Sequence, residues 1–165
     1  MNPRLKNVYS QLKQRRLDSL LVSSPANISY LTGYLSRDAY LLVSEKENIY
    51  FTDSRYTQEA KTFLKNNARL KECNGSVFKH IAEAVLDLGL KKLGIEERYL
   101  AFAEFAKIKE HAKGGFDLIP THSIIEDKRQ VKDVQEIAKI RKATRITALA
   151  LEHIQKFLVP GIKEV

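Results

Sequence analysis

A chain of 165 residues with a single cysteine, Cys73, cannot close an internal disulfide. No apolar run approaches the roughly 18 residues of a membrane-spanning helix. The amino-terminal stretch MNPRLKNVYSQLKQRR is charged and amphipathic and lacks the continuous apolar core of a secretory signal. Together these absences predict a cytoplasmic protein with no membrane partner. There is no internal repeat, no low-complexity segment and no glycine-rich phosphate loop of the GxGxxG or GxxxxGKS type. HExxH and CxxC are missing as well. The four histidines, His80, His111, His122 and His153, nowhere pair at ligand spacing on one helix. Neither a metal site nor a catalytic constellation is expected within the chain. Cys73 would need a histidine base to act as a nucleophile, and its place at the end of a strand reads as a small half-buried residue.

The residues that are present describe a globular protein. Apolar residues make up 44% of the chain and charged residues 29%, enough for one domain, or one domain and part of another. A net charge of +8 raises nucleic acid as a partner. The basic residues are spread along the chain, however, and mixed with acids. Lys128, Arg129 and Lys132 stand among Glu126, Asp127 and Asp133. That pattern predicts a solvated basic surface and no nucleic-acid partner.

Leu5, Val8, Tyr9 and Leu12 fall at helical spacing, so residues 2–16 read as a helix capped by Asn2 with Pro3 in its first turn. A buried strand follows at 19–23. Ser24-Pro25 opens a short helix that ends at Gly33. Strands at 39–44 and 49–52 form a hairpin. Asp53 or Ser54 caps a helix to about Asn66, and a strand runs over 69–73. Ser76 caps a helix with Val77, Ile81, Val85 and Leu88 on one face. A strand at 93–96, a helix over 101–113 ended by Gly114-Gly115, and a strand at 116–121 complete the alternation. The pattern predicts an α/β fold: a mixed, mostly parallel sheet with one hairpin and helices on both faces.

After Ile125 the composition changes. Residues 126–132 read as a polar linker, and 133–158 as a long helix ended by Pro160-Gly161. In its second half Ile146, Leu149, Leu151, Ile154, Phe157 and Leu158 spread around most of the circumference, a pattern that calls for partners on most sides. This predicts two parts, residues 1–125 and residues 126–165, the latter being the opening of a further domain.

Five stretches in order carry a family resemblance. Asn27-Ile28-Ser29-Tyr30-Leu31-Thr32-Gly33-Tyr34 and Thr52-Asp53-Ser54-Arg55-Tyr56, closely followed by Glu59-Ala60, resemble the signatures of the creatinase/prolidase N-terminal domain, with Tyr34 where that family usually has Phe. Leu93-Gly94-Ile95-Glu96 resembles its LGxE strand. Arg129 to Ala143 and Pro160-Gly161-Ile162-Lys163-Glu164 resemble its entry into a pita-bread catalytic domain.

The resemblance implies a ribonuclease H-like N-terminal fold and a non-catalytic role in a proline-specific metallopeptidase, an Xaa-Pro aminopeptidase or prolidase. It further implies two divalent metals (Mn, Co or Zn) held by a catalytic domain beyond Val165, a homodimer, and short Xaa-Pro peptides as substrates. Asn27, Tyr30, Gly33, Asp53, Arg55 and Tyr56 are expected to be mainly structural. Tyr34, Arg37 and Asp38 are expected to form a substrate-access loop. Two other readings stand beside this one: a free-standing α/β binding module, with nucleic acid as its candidate ligand, and the N-terminal domain of a creatinase-like hydrolase, whose architecture is shared without metal.

Overall fold

Asn2 caps the first helix, α1 (Pro3–Gln14), by accepting the Arg4 backbone N–H at 2.9 Å. Its four apolar positions, Leu5, Val8, Tyr9 and Leu12, are all buried. The computed structural model describes residues 2–35, 38–64 and 67–163. The chain divides into two units, Met1–Lys128 and Arg129–Val165.

In the first unit α1 is followed by β1 (Ser19–Val22), α2 (Pro25–Thr32), β2 (Tyr40–Ser44), β3 (Ile49–Thr52), α3 (Ser54–Leu64), β4 (Arg69–Glu72), α4 (Val77–Asp87), β5 (Lys92–Glu96), α5 (Phe102–Ala112) and β6 (Asp117–Thr121). The six strands form one sheet in the order β4-β3-β2-β1-β5-β6. β2 pairs antiparallel with β1 and β3, and the other three pairings are parallel. Five strands therefore run one way and only β2 runs back.

Strand side chains alternate between faces, and the core divides accordingly. Leu20, Val22, Leu41, Val43 and Tyr50 meet α1, α2 and α3 on one face. Leu21, Leu42, Ile49, Phe51, Leu93 and Ile95 meet α4 and α5 on the other. The apolar runs of β1 to β3 are buried on both sides, as expected for central strands. β4 is an edge strand of largely exposed, charged residues, a composition that discourages pairing with another chain. At Gly94 on β5 an added Cβ would lie 3.0 Å from Thr121 Cγ2 and 3.1 Å from Leu17 Cδ1, so a hydrogen is required there.

Three local expectations are corrected. Ser76 stands at the start of α4, but its side chain makes no capping hydrogen bond. α5 ends at Ala112 with Lys113 in the left-handed region (φ 47°), one residue before the Gly pair. The supposed linker begins with a short helix, α6 (Glu126–Gln130). Ile124 and Ile125 are buried in the core immediately before it, which holds the backbone down long enough to turn.

The second unit consists chiefly of α7 (Val134–Gln155). Asp133 and Glu136 form a reciprocal cap, with Asp133 Oδ1 accepting the Glu136 N–H at 2.8 Å and Glu136 Oε2 accepting the Asp133 N–H at 3.0 Å. No residue of α7 is buried. Leu149, Ile154 and Phe157 are 55%, 48% and 55% exposed, so none of them enters a core.

Candidate functional site

In open α/β sheets, ligands collect outside the carboxyl ends of the strands, where consecutive crossovers leave for opposite faces. Here that point lies between β1 and β5: α2, after β1, packs on one face, and α5, after β5, packs on the other. The chain fills this place with its own carboxyl group. Glu96 ends β5 and is only 6% exposed. Its Oε2 accepts the backbone N–H groups of Ser23 and Ser24, both at 2.7 Å, and the Ser23 hydroxyl at 3.2 Å. Its Oε1 accepts from Asn27 Nδ2 at 2.6 Å. Burial pushes the Glu96 carboxyl above the usual range, while the Ser24, Asn27 and Ser23 donors pull against that shift. A cavity of only about 10 Å³ remains beside it.

The two signature stretches converge at the same end of the sheet, on the other side of β1. Gly33 closes α2 in the left-handed conformation (φ 76°), its N–H bonded to Ser29 O at 2.8 Å. The ring of Tyr34 then turns inward and is 5% exposed. It stacks on Phe63 of α3 at 5.2 Å, and its hydroxyl donates to Glu59 Oε2 at 2.9 Å. Burial, then the Glu59 carboxylate, raises the Tyr34 phenol to about 12. Tyr34 therefore fixes the chain at the amino-terminal end of the loop that follows it. Gly33, Tyr34, Leu35, Tyr56, Glu59 and Phe63 border an open groove of about 400 Å³.

Asp38, at the far end of that loop, is exposed and has a left-handed backbone (φ 46°). Its carbonyl oxygen accepts from Thr52 Oγ1 at 3.5 Å, and its carboxylate stands 3.6 Å from Arg55 Nη2. Arg55 also grips Asp53, through Nε to Oδ1 at 3.1 Å and Nη2 to Oδ2 at 2.6 Å. Hydrogen bonding to this guanidinium holds the Asp53 carboxyl below its ordinary value. Asp53 Oδ1 additionally accepts the Arg55 backbone N–H at 2.9 Å, which caps α3. The Arg55 guanidinium lies 5.2 Å from the Tyr56 ring. Arg37 lies outside the described residues.

Of the remaining signature residues, some are buried and some half-buried. Asn27 is fully buried. Tyr30 takes the Arg4 guanidinium over its ring at 4.2 Å and accepts a 2.9 Å hydrogen bond from it through its backbone oxygen. Cys73 is buried, and burial pushes its thiol up, away from a thiolate. Among the described residues no three His, Cys, Asp or Glu side chains gather closely enough to hold a metal ion. The donor set does not fit a metallopeptidase centre, and no catalytic step is assigned to these residues. Among them, no helix is long and apolar enough to cross a membrane.

Glu59 and Glu96 both lie within the stretches that carry the family resemblance, but nothing in the sequence pointed to their partners, Tyr34 for Glu59 and Ser23, Ser24 and Asn27 for Glu96.

The comparisons with known proteins agree with this geometry. The family model of the creatinase/prolidase N-terminal domain matches residues 4–131. The uncharacterized peptidase YqhT of Bacillus subtilis is 30% identical over 98% of this chain and 44% of its own length. An Xaa-Pro dipeptidase from Bacillus anthracis superposes with a TM-score of 0.90 at 26% identity, over 98% of this chain and 44% of that one. The Xaa-Pro aminopeptidase structure from Streptococcus thermophilus superposes with a TM-score of 0.68 at 28% identity, over 76% of this chain and 95% of that one. The chain thus spans under half the length of the curated relative and of the dipeptidase. By sequence and by fold, it belongs to the creatinase/prolidase N-terminal domain family.

Proposed function

We propose that this chain is the non-catalytic N-terminal domain of a cytoplasmic proline-specific metallopeptidase, an Xaa-Pro aminopeptidase or prolidase, and that it governs substrate access and dimerisation. One observation carries the reading: the chain aligns along nearly its whole length with less than half of an Xaa-Pro dipeptidase. In this reading a catalytic domain follows and holds two divalent ions, Mn, Co or Zn. Residues 126–165 are the linker and first helix of that domain, and the exposed apolar side chains of α7 are buried against the rest of it.

The loop of Tyr34, Arg37 and Asp38 then faces an active-site mouth in the homodimer. A short Xaa-Pro peptide brings a free ammonium and a free carboxylate close together. Arg37 suits the carboxylate, and the exposed Asp38 suits the ammonium. The buried stack of Tyr34 on Phe63 and the Arg55 contact with Asp38 support the two described ends of the loop.

The test compares two proteins on an Xaa-Pro dipeptide with manganese, cobalt or zinc supplied. The 165-residue chain alone is expected to give no turnover. The longer protein that carries it at its amino end is expected to cleave the dipeptide. Metal-dependent turnover by the 165-residue chain overturns the reading.

A further inference from the structure

We infer that Asn27 is a positioning residue that latches the start of α6 to the carboxyl end of the sheet, through one side-chain nitrogen shared by two carboxylates. Asn27 Nδ2 donates to Glu96 Oε1 at 2.6 Å and to Glu126 Oε1 at 2.7 Å. A primary amide nitrogen has two hydrogens, so each carboxylate receives one and the donor is saturated. Asn27 is fully buried in the first turn of α2, and Glu96 is fixed from its other oxygen by Ser23 and Ser24. The anchor is therefore rigid. Glu126 is the part it captures, and Glu126 opens α6.

The pairing needs a neutral donor. Two carboxylates brought to one point repel, and one of them here is desolvated. The amide offers each a hydrogen bond and adds no charge. An aspartate at the same position would replace the donor with a third acceptor.

This contact gives α6 a tertiary hold at its first residue. The helix has only five residues, too few to be stable as an isolated helix. Its first turn rests on Asp127 N–H to Ser123 O at 3.2 Å and Lys128 N–H to Ile125 O at 3.0 Å, with Ile124 and Ile125 buried beneath. The latch sets the point from which the chain leaves the α/β unit. This conclusion stands on the hydrogen bonds and is independent of the peptidase reading.

Hydrogen exchange measured by NMR on the 165-residue chain tests it. In Glu126→Ala the Asp127 and Lys128 amides should exchange at least about tenfold faster, as expected when a hydrogen bond to a charged group is lost. Leu21 and Leu42 in the sheet should keep their wild-type rates. Glu126→Gln retains an oxygen acceptor and should stay within roughly twofold of wild type on the same argument. Asn27→Ala should reproduce the Glu126→Ala result; if it fails to fold, the two Glu126 variants decide. Unchanged Asp127 and Lys128 exchange in Glu126→Ala overturns the latch, as does equal acceleration in Glu126→Gln.

Discussion

Glu96 Oε2 accepts the backbone N–H of Ser24 at 2.7 Å, so the residue that ends β5 satisfies the backbone at the mouth of α2. Ser24 itself, although it occupies the capping position, makes no side-chain capping bond. The carboxylate supplies from another strand what the local serine does not. Glu96→Ala would strand the Ser23 and Ser24 N–H groups and take the acceptor from one of the two Asn27 amide hydrogens. With each buried orphan costing about 1–3 kcal/mol, urea unfolding should show a loss of at least ~2 kcal/mol. A loss below ~0.5 kcal/mol would mean that water replaces the carboxylate at no cost.

The same residue gives a pH dependence of definite sign. Its folded-state value is raised by burial, so the folded protein binds that proton more tightly than the unfolded chain. The stabilisation is fully present below the ordinary glutamate value and is lost as pH rises through the raised folded value. Subtracting the Glu96→Ala stability profile from that of the wild type should isolate a term that declines with rising pH over that window. Asp53 and Glu47, held low by hydrogen bonds from Arg55 and Arg69, contribute with the opposite slope, lost as pH falls below the ordinary carboxylate range. They should cancel in the subtraction.

Gly94→Ala should destabilise the fold by about 1–3 kcal/mol through overpacking. Its new methyl would press on Thr121, Leu17 and Leu20 at 3.0 to 3.3 Å. Chemical denaturation gives the number, and a neutral outcome would show that these side chains move aside freely.

Tyr34→Phe removes the hydroxyl that bonds Glu59 and keeps the stack on Phe63. The cost should be about 0.5–1.5 kcal/mol. Tyr34→Ala removes the ring and should cost about 3–5 kcal/mol. Similar stabilities for the two variants would show that the ring does not support the loop.

In the longer protein, Arg37→Ala should lower kcat/KM for an Xaa-Pro dipeptide roughly tenfold or more, the equivalent of ~1.5–3 kcal/mol for a charged hydrogen bond. A long peptide, whose carboxylate lies far from the scissile bond, should be affected less. Equal rates for variant and wild type on both substrates would remove Arg37 from substrate contact.

Much of this fold is legible locally. The capped first helix, the β2–β3 hairpin and the left-handed Gly33 all follow from turn chemistry and hydrophobic period, because each depends on residues within a few positions of one another. The pairing of Arg55 with Asp53 is of the same kind, being two residues apart. α6 escaped because its cause is not in its own polar residues: Ile124 and Ile125 are held by the core before it.

The sequence by itself determined the alternation of strands and helices, the two signature stretches and the excess of apolar surface on the last helix, all properties of composition and period along the chain. Only the tertiary structure decided which end of the sheet carries those signatures, that Tyr34 is buried against Phe63, and that Glu96 occupies the crevice between β1 and β5. The physical reason is separation. Glu96 lies 72 residues from Ser24 and 69 from Asn27. A charge becomes tolerable in the interior only when donors from distant segments surround it. Such a meeting leaves no period, spacing or turn signal in the chain; it exists only once β1 and β5 lie side by side.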